Sequence, residues 1–184
     1  MRTLQVICLI CGLAGFFAPA LADQTDPRLG DLFARLKEAS APAEAAPIES
    51  QIWAIWLETS DQTAGSLLQT GIDAMRSGDG RAALEAFDRL VEIAPDFAEG
   101  WNKRATVHYL VGNLDQSLDD IATTLNLEPR HFGALSGRGL VYIKLNDLER
   151  ALVSFEAALA VSPKMVGPRV NAEAIRQFLK DREI

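Results

Sequence analysis

The chain has 184 residues, of which 48% are hydrophobic and 23% charged, a composition that indicates a folded globular protein and excludes a disordered one. Its 18 basic and 25 acidic residues give a net charge of −7 at pH 7. Because nucleic acids and anionic lipids attract basic surfaces, we expect neither as a partner.

Residues 1–22 have the composition of an export signal. Arg2 precedes an uncharged, mostly apolar run over residues 4–18, and the sequence Ala-Leu-Ala at residues 20–22 is a small-x-small cleavage pattern. We predict cleavage after Ala22, which places the mature protein in the periplasm or outside the cell, without membrane insertion. The alternative is an uncleaved anchor, because the apolar stretch reaches the lower limit for spanning a bilayer, although Pro19 interrupts it.

Residues 23–63 contain two amphipathic stripes at helical spacing, separated by an Ala/Pro-rich link over residues 41–47. This pattern predicts two helices. The first stripe consists of Leu29, Leu32, Phe33 and Leu36, and the second of Ile48, Ile52, Ile55 and Trp56.

A period of 34 residues dominates the next hundred positions. Seven sets of chemically similar residues recur at this spacing without an insertion, which chance does not explain. They are Pro95, Pro129 and Pro163; Gly71, Ala105 and Gly139; Leu67, Trp101 and Leu135; Ala83, Ser117 and Ala151; Leu84, Leu118 and Leu152; Phe87, Ile121 and Phe155; and Gly78, Gly112 and Asn146.

The turn-forming members of these sets predict a helix–turn–helix unit in each period. Gly78, Gly112 and Asn146 are residues that enter the left-handed backbone region at low energetic cost, so they suit the end of a first helix. The three prolines cannot continue a helix and mark the end of each second helix.

The small residues of the repeat predict close helix packing. A glycine inside a helix, such as Gly71 or Gly139, is less favourable than alanine by about 1 kcal/mol. It is explained where another helix approaches closely, and we expect Ala83 and Ala151 to provide the opposing surfaces.

The pattern resembles the tetratricopeptide repeat, with three full repeats at residues 64–97, 98–131 and 132–165. The resemblance implies an all-α fold, a right-handed α-solenoid of helix–turn–helix units whose first helices line a concave surface. The runs at residues 101–105 and 128–135 also look like segments of small exported tetratricopeptide proteins of Gram-negative bacteria. That likeness suggests a periplasmic location and implies no enzymatic activity.

The two ends of a solenoid expose apolar faces and need capping elements. Residues 166–184 are predicted to form a C-terminal capping helix, whose apolar face carries Ala172, Ile175, Phe178 and Leu179. Residues 23–63 are predicted to form an N-terminal cap or a degenerate repeat. We expect Trp53 and Trp56 to pack against the first repeat, the alternative being an exposed aromatic patch.

The sequence contains no recognisable catalytic, cofactor-binding or metal-binding pattern, so we predict a protein that is not an enzyme and has no cofactor. Both cysteines, Cys8 and Cys11, lie in the predicted signal, and the two histidines do not stand at metal-ligand spacing. We expect His108 to be a hydrogen-bonded core residue, with a pH sensor as the alternative, and His131 to be a solvated helix cap.

Two arginines depart from the repeat pattern. Arg104 and Arg138 occupy a stripe where an apolar residue is usual, and a buried guanidinium requires a carboxylate partner. We predict ion pairs between helices, with Asp88, Asp120 and Glu156 as the candidate partners.

The resemblance implies that one face of the first helices binds a protein or peptide. Leu68 and Ile72 occupy the positions where one subgroup of the family grips a terminal carboxylate with asparagine and lysine, so that clamp is absent. We expect an extended or helical segment with apolar anchors. The predicted groove consists of Gln69, Ile72, Met75, Glu99, Asn102, Lys103, Thr106, Tyr109, Ser136, Leu140, Lys144 and Asn171.

The predicted function is therefore a non-catalytic scaffold or adaptor in the cell envelope. The alternatives are an enzyme or enzyme subunit with a site built across the groove, and a structural oligomerisation module. The sequence does not identify the partner or the oligomeric state.

Overall fold

The computed structural model describes residues 24–182, and every regular element in that range is an α-helix. The predicted signal segment and the last two residues of the predicted capping helix lie outside the described residues. None of the described helices combines the length and the apolar character needed to cross a bilayer. The helices are α1 Arg28–Glu38, α2 Pro42–Trp56, α3 Gln62–Ser77, α4 Gly80–Ile93, α5 Ala98–Val111, α6 Leu114–Leu127, α7 Phe132–Lys144, α8 Leu148–Val161 and α9 Val166–Arg182.

The helices from α3 onward stack as hairpins in chain order. The pairs α3–α4, α5–α6 and α7–α8 pack most closely, each hairpin contacts the next through α4–α5 and α6–α7, and α9 packs against α8. This is the predicted right-handed α-solenoid of helix–turn–helix units. We call the surface formed by α3, α5, α7 and α9 on the side of the predicted groove residues the inner wall.

The tight turns inside the hairpins follow the prediction. Gly78, Gly112 and Asn146 all adopt positive φ angles, of 78°, 89° and 57°. Asp79 and Asp147, the residues that follow two of these turns, accept hydrogen bonds from backbone N–H groups in the first turn of α4 and α8. These bonds satisfy donors that a helix start leaves free.

The mid-helix glycines mark close approaches, but the opposing group is not the one expected. A Cβ atom at Gly71 would lie 2.4 Å from the Phe87 ring, and one at Gly139 would lie 2.6 Å from the Phe155 ring. Both rings are fully buried. The prediction that Ala83 and Ala151 oppose the glycines is therefore corrected, because the aromatic rings need this space.

The N-terminal hairpin of α1 and α2 does not pack where we expected. Its apolar core includes Phe132 of α7, with Val161 and Met165 packed against it. Trp53 and Trp56 contact the rings of His131 and Phe132 instead of the first repeat. The expected packing of the tryptophans is wrong because α2 lies across several repeats, and it is Leu57 at its end that packs against the first hairpin.

Candidate partner-binding surface

The helix α2 crosses the inner wall in the direction opposite to the repeat order. In the middle of α2, Glu49 accepts a hydrogen bond at 2.5 Å from the hydroxyl of Ser162, a residue that precedes α9. Further along, the Trp53 ring lies over the backbone of Gly133 in α7, where an added Cβ would come within 2.6 Å of the ring. At its end, Leu57 packs against the core of the first hairpin. The chain thus places one of its own helices on part of the wall.

A buried polar cluster lies beneath α2. The Glu99 carboxylate is 1% exposed and is held by three groups. Nε2 of His131 lies 2.9 Å from Oε2, Nδ2 of Asn102 donates to the same oxygen at 2.9 Å, and Nζ of Lys103 lies 2.8 Å from Oε1. A buried carboxylate is tolerated only with such compensation.

The hydrogen bonds fix the orientation of the His131 ring. Its Nδ1 accepts from the backbone N–H of Ala134 at 3.1 Å, so the ring proton is on Nε2 and is donated to Glu99. The Trp56 ring stacks on the imidazole at 4.1 Å between centroids. His131 does cap α7, but the prediction that it is solvated is wrong, because α2 covers it completely.

The pKa of Glu99 reflects this environment. Burial alone would raise it, but the hydrogen bond from His131 and the charge of Lys103 outweigh burial and hold the pKa below its ordinary value of 4.5. Glu99 therefore binds a proton more weakly in the folded than in the unfolded chain. Its contribution to stability is present above pH 4.5 and is lost as the pH falls through the lower, folded pKa.

We expect Glu99→Gln to make the free energy of unfolding depend less on pH in the acid range. Urea unfolding of both proteins at a series of pH values, from neutral pH to the lowest pH at which they remain folded, measures how the free energy of unfolding depends on pH. Below pH 4.5 the parent should lose stability more steeply than the variant, since glutamine does not titrate. Parallel curves for the two proteins would contradict the assignment.

The rest of the inner wall is open and contains a cavity of about 250 Å³ between α5, α6 and α7. Apolar atoms form most of its surface. It is lined by Asn102, Ala105, Thr106, Tyr109, Leu110, Ser117, Ile121, Gly133, Ala134, Gly137 and Leu140. A pocket of this size and character accepts an apolar side chain.

The structure brings some of the predicted groove residues together at this cavity and sequesters others. Asn102, Thr106, Tyr109 and Leu140 line it. The inclusion of Glu99 in an open groove is corrected, because its side chain lies beneath α2.

Lys103 and Lys144, the two groove cations, both have partners within the chain. Lys103 is bound to Glu99, and its Nζ lies 5.2 Å from the Trp53 ring. Nζ of Lys144 donates to the Tyr109 carbonyl at 2.9 Å and lies 3.9 Å from the ring of that tyrosine. The charge of Lys103 is compensated by Glu99, whereas Lys144 is exposed and its charge is not compensated by the carbonyl or the ring.

The other predicted residues lie outside the cavity. Ile72, Ser136 and Asn171 are partly exposed, and Gln69 is exposed and donates to Asp73. Met75 lines a separate depression with Leu110 and Val111.

Sequence reasoning missed two kinds of contributor to this surface. We predicted groove positions on the first helices alone. Ser117 and Ile121 lie on the second helix α6 and were therefore not included. Trp53 belongs to the N-terminal hairpin, which has no place in the repeat pattern. Gly133 was the one residue in the sequence that could have indicated this contact, because the absence of a side chain there leaves room for a large ring.

The predicted ion pair of Arg104 is confirmed. Its guanidinium donates two hydrogen bonds to the buried carboxylate of Asp120, at 2.7 and 2.8 Å, and a third to Asp88 at 2.9 Å. This arrangement links α5 to both neighbouring second helices. His108, one turn further along α5, lies 3.9 Å from Asp120 and 3.4 Å from the Asn113 amide, so it faces the second helix as expected.

Glu156, the third candidate partner, does not pair with either arginine. Arg138 donates to the Ser154 hydroxyl at 3.2 Å, and Glu156 instead pairs with Arg176 of α9 at 2.9 Å. The 34-residue spacing puts Ser154 at the position that Asp120 occupies in the second repeat, so Arg138 meets a hydroxyl where Arg104 meets a carboxylate.

The described residues hold no group of three or more His, Cys, Asp or Glu side chains arranged to bind a metal ion. Asn102 connects the buried Glu99–His131 pair to the cavity, because its amide donates to Glu99 and its side chain also lines the cavity.

Known proteins share this architecture. The family model for the tetratricopeptide repeat matches residues 68–125 and 111–165. A TPR repeat-containing protein of Rhizobium etli is 36% identical over 136 residues, covering 74% of this chain and 67% of the relative. The SGT1 homolog of Bos taurus is 32% identical over 92 residues, covering 50% of this chain and 27% of the relative. The chain thus spans about two thirds of the first relative and about a quarter of the second.

Solved structures agree in fold. The first TPR of Spaghetti (RPAP3), bound to the HSP90 peptide SRMEEVD, superposes with a TM-score of 0.63 at 21% identity, covering 66% of this chain and 96% of that one. The Sgt2 TPR domain from Aspergillus fumigatus gives 0.63 at 17% identity, covering 66% and 82%. Repeat pattern, hairpin stacking and these matches lead to one conclusion: the chain belongs to the tetratricopeptide repeat family.

Proposed function

We propose that the protein is a non-catalytic adaptor that holds a segment of a protein partner in the cavity between α5 and α7. The observation that carries this proposal is the cavity of about 250 Å³, which is open, mostly apolar and bordered by Thr106, Tyr109 and Leu140. Solvent-exposed apolar concavities of this kind mark interaction sites.

The proposed partner segment is anchored by apolar side chains. Peptide binding by a structural relative, the RPAP3 domain with its acidic HSP90 peptide, supports an interaction function. On the inner wall of this chain Lys103 is paired with Glu99, and the exposed Lys144 donates to the Tyr109 carbonyl. The mostly apolar cavity beside them fits an apolar anchor.

The proposed setting is the cell envelope. The sequence of residues 1–22 supports export with cleavage after Ala22, and the absence of cysteine from the remainder suits an oxidising compartment. Cell fractionation followed by N-terminal sequencing of the purified protein tests this part. A cytoplasmic protein that retains residues 1–22 would refute it.

We expect Gly137→Leu to remove partner capture without loss of stability. A Cβ at Gly137 meets only Ile121, at 3.9 Å, so the leucine side chain enters the cavity without a clash. Leucine also favours the helix over glycine by about 0.8 kcal/mol. Affinity capture from an envelope extract, read by mass spectrometry, should show an at least about tenfold loss of the partners retained by the parent protein.

The matched control for this variant is Gly30→Leu. Gly30 is also a helical glycine with open space at its Cβ position, but it lies in α1, away from the cavity. This control should retain the partners. Equal capture by the parent and both variants would remove the cavity from the proposal.

A further inference from the structure

The N-terminal hairpin has an apolar core that is largely its own. The buried members of this core belong to α1, α2 and the turn between them, with the exception of Phe132 of α7. Among the described residues, Leu57 is the one residue from this side that joins a core of the repeats. Residues 57–61, which connect α2 to α3, lie outside the helices. Elements with separate cores open separately, so the hairpin can leave the inner wall while the solenoid stays folded.

The tryptophans of α2 lie directly on the buried polar cluster around Glu99. The Trp56 ring stacks on the imidazole of His131 at 4.1 Å between centroids, and the Trp53 ring meets the same imidazole edge-on at 5.3 Å. Nζ of Lys103 lies 5.2 Å from the centroid of the Trp53 ring. A change of charge in the cluster therefore acts on the contact that holds α2 to α5 and α7.

The cluster has no vacant position for an added proton. Oε2 of Glu99 already accepts from Nε2 of His131 and from Nδ2 of Asn102. Oε1 of Glu99 lies 2.8 Å from the ammonium group of Lys103. The other ring nitrogen of His131, Nδ1, accepts from the backbone N–H of Ala134. A proton on any of these atoms would point at an existing donor, so proton uptake disrupts the cluster as it is arranged beneath α2.

Proton uptake also removes the counter-charge of Lys103. The Glu99 carboxylate balances this ammonium group, whose side chain is only 22% exposed beside Trp53. While α2 covers Glu99, the hydrogen bond from His131 and the charge of Lys103 hold its pKa below 4.5, and exposure to water returns the pKa toward that ordinary value. The uncovered form therefore binds a proton more tightly than the covered form, and acid favours uncovering.

The other charged side chains at this contact have partners of their own. Glu49 of α2 accepts from the Ser162 hydroxyl. Arg130 lies over the Phe33 ring of α1 and is paired with the buried carboxylate of Glu128 at 2.8 Å. The hydrogen bonds of the cluster beneath the tryptophans involve neither of these two carboxylates. Glu99 is therefore the acid whose titration acts on that cluster directly.

We propose that the N-terminal hairpin is an acid-released cover, which detaches from the inner wall when Glu99 takes up a proton, while the helices from α3 to α9 stay folded. Release exposes Trp53 and Trp56 together with the parts of α5 and α7 beneath them. Because one proton is bound on release, the ratio of uncovered to covered molecules rises by at most about tenfold per pH unit. The inference concerns this chain alone and stands apart from the proposed adaptor function.

Hydrogen exchange read by mass spectrometry tests the proposal on the purified protein. Exchange rates are measured from neutral pH to about one unit below 4.5 and divided by the intrinsic rate at each pH, which gives protection factors. We expect protection in α1 and α2 to fall by about five- to tenfold over this range, because Glu99 becomes protonated in the uncovered form. Protection in α4 and α6 should change by less than about twofold.

Two variants identify the titrating group. Glu99→Gln should lose most of the acid response of α1 and α2, because glutamine does not titrate. Glu49→Gln is the matched control, since it removes a carboxylate from the same contact of α2 but leaves the cluster intact. This control should keep the response of the parent. The pH series on the parent alone distinguishes local release from common unfolding, so the test does not depend on the folding of either variant.

Three outcomes would overturn the inference. Equal loss of protection in all helices of the parent would show that the hairpin and the repeats open as one unit. Constant protection in α1 and α2 over the whole pH range would show that no proton is linked to release. A full acid response in Glu99→Gln would remove Glu99 as the trigger, whatever the result for Glu49→Gln.

Discussion

Glu99→Ala is expected to lower the free energy of unfolding by about 3–5 kcal/mol, the range for removing one member of a buried ionic group. The substitution leaves the Nε2–H of His131 and the amide of Asn102 without their acceptor beneath α2, and it removes the counter-charge of Lys103. Urea unfolding monitored by circular dichroism measures the loss, with the slope of the transition as a check on two-state behaviour.

Two further variants identify the source of this effect. Glu99→Gln keeps an oxygen that accepts from His131, so it should lose less stability than the alanine variant. Asp88→Ala removes a carboxylate that also pairs with an arginine, but the Asp88 side chain is 59% exposed, so the loss should be below about 1 kcal/mol. A loss for Glu99→Ala as small as that for Asp88→Ala would show that the cluster beneath α2 is open to water.

Trp56→Ala is expected to cost about 3–5 kcal/mol and to release the N-terminal hairpin from the wall. The Trp56 ring is 1% exposed and covers the imidazole of His131, so its removal creates a cavity and admits water to a buried charge. Hydrogen exchange should show faster exchange in α1 and α2 and at the start of α7, while α3 and α4 remain protected.

Phe178→Ala is the control for this change. The Phe178 side chain is 51% exposed on α9, so its removal should alter stability by less than about 1 kcal/mol and leave exchange in α1 and α2 unchanged. Uniform faster exchange over all helices of the Trp56 variant would instead indicate that the hairpin and the repeats unfold as one unit.

The solenoid was predictable because its determinants are local and repeated. Gly78, Gly112 and Asn146 mark the turns by their backbone preference, and the 34-residue spacing fixes the order of the hairpins. The ion pair of Arg104 was predictable for a related reason, since α5 lies between two second helices of known register. These inferences require only the geometry of neighbouring units.

The path of α2 was not predictable in the same way. The hairpin of α1 and α2 occurs once, so no periodicity states its position, and its contacts join residues more than 70 positions apart, such as Trp53 and Gly133. Burial of Glu99 follows from that path alone. The repeat pattern places Glu99 on the exposed face of a first helix. Its side chain is buried only because α2 packs over it in the folded protein.

The covered and open parts give the inner wall two distinct roles. The part under α2 is structural, because His131, the Glu99 carboxylate and Lys103 are covered there by Trp53 and Trp56. The part beyond Gly133 contains the mostly apolar cavity, with the exposed Lys144 near its edge at Tyr109.

The position of α2 on the wall is the claim on which the rest depends, and solution NMR of the purified protein tests it directly. The account predicts nuclear Overhauser contacts between the indole protons of Trp53 and the α protons of Gly133, together with a ring-current shift of those α protons, because the indole ring lies close to that backbone. An unshifted Gly133 without contacts to Trp53, in a protein whose repeats are otherwise folded, would contradict it.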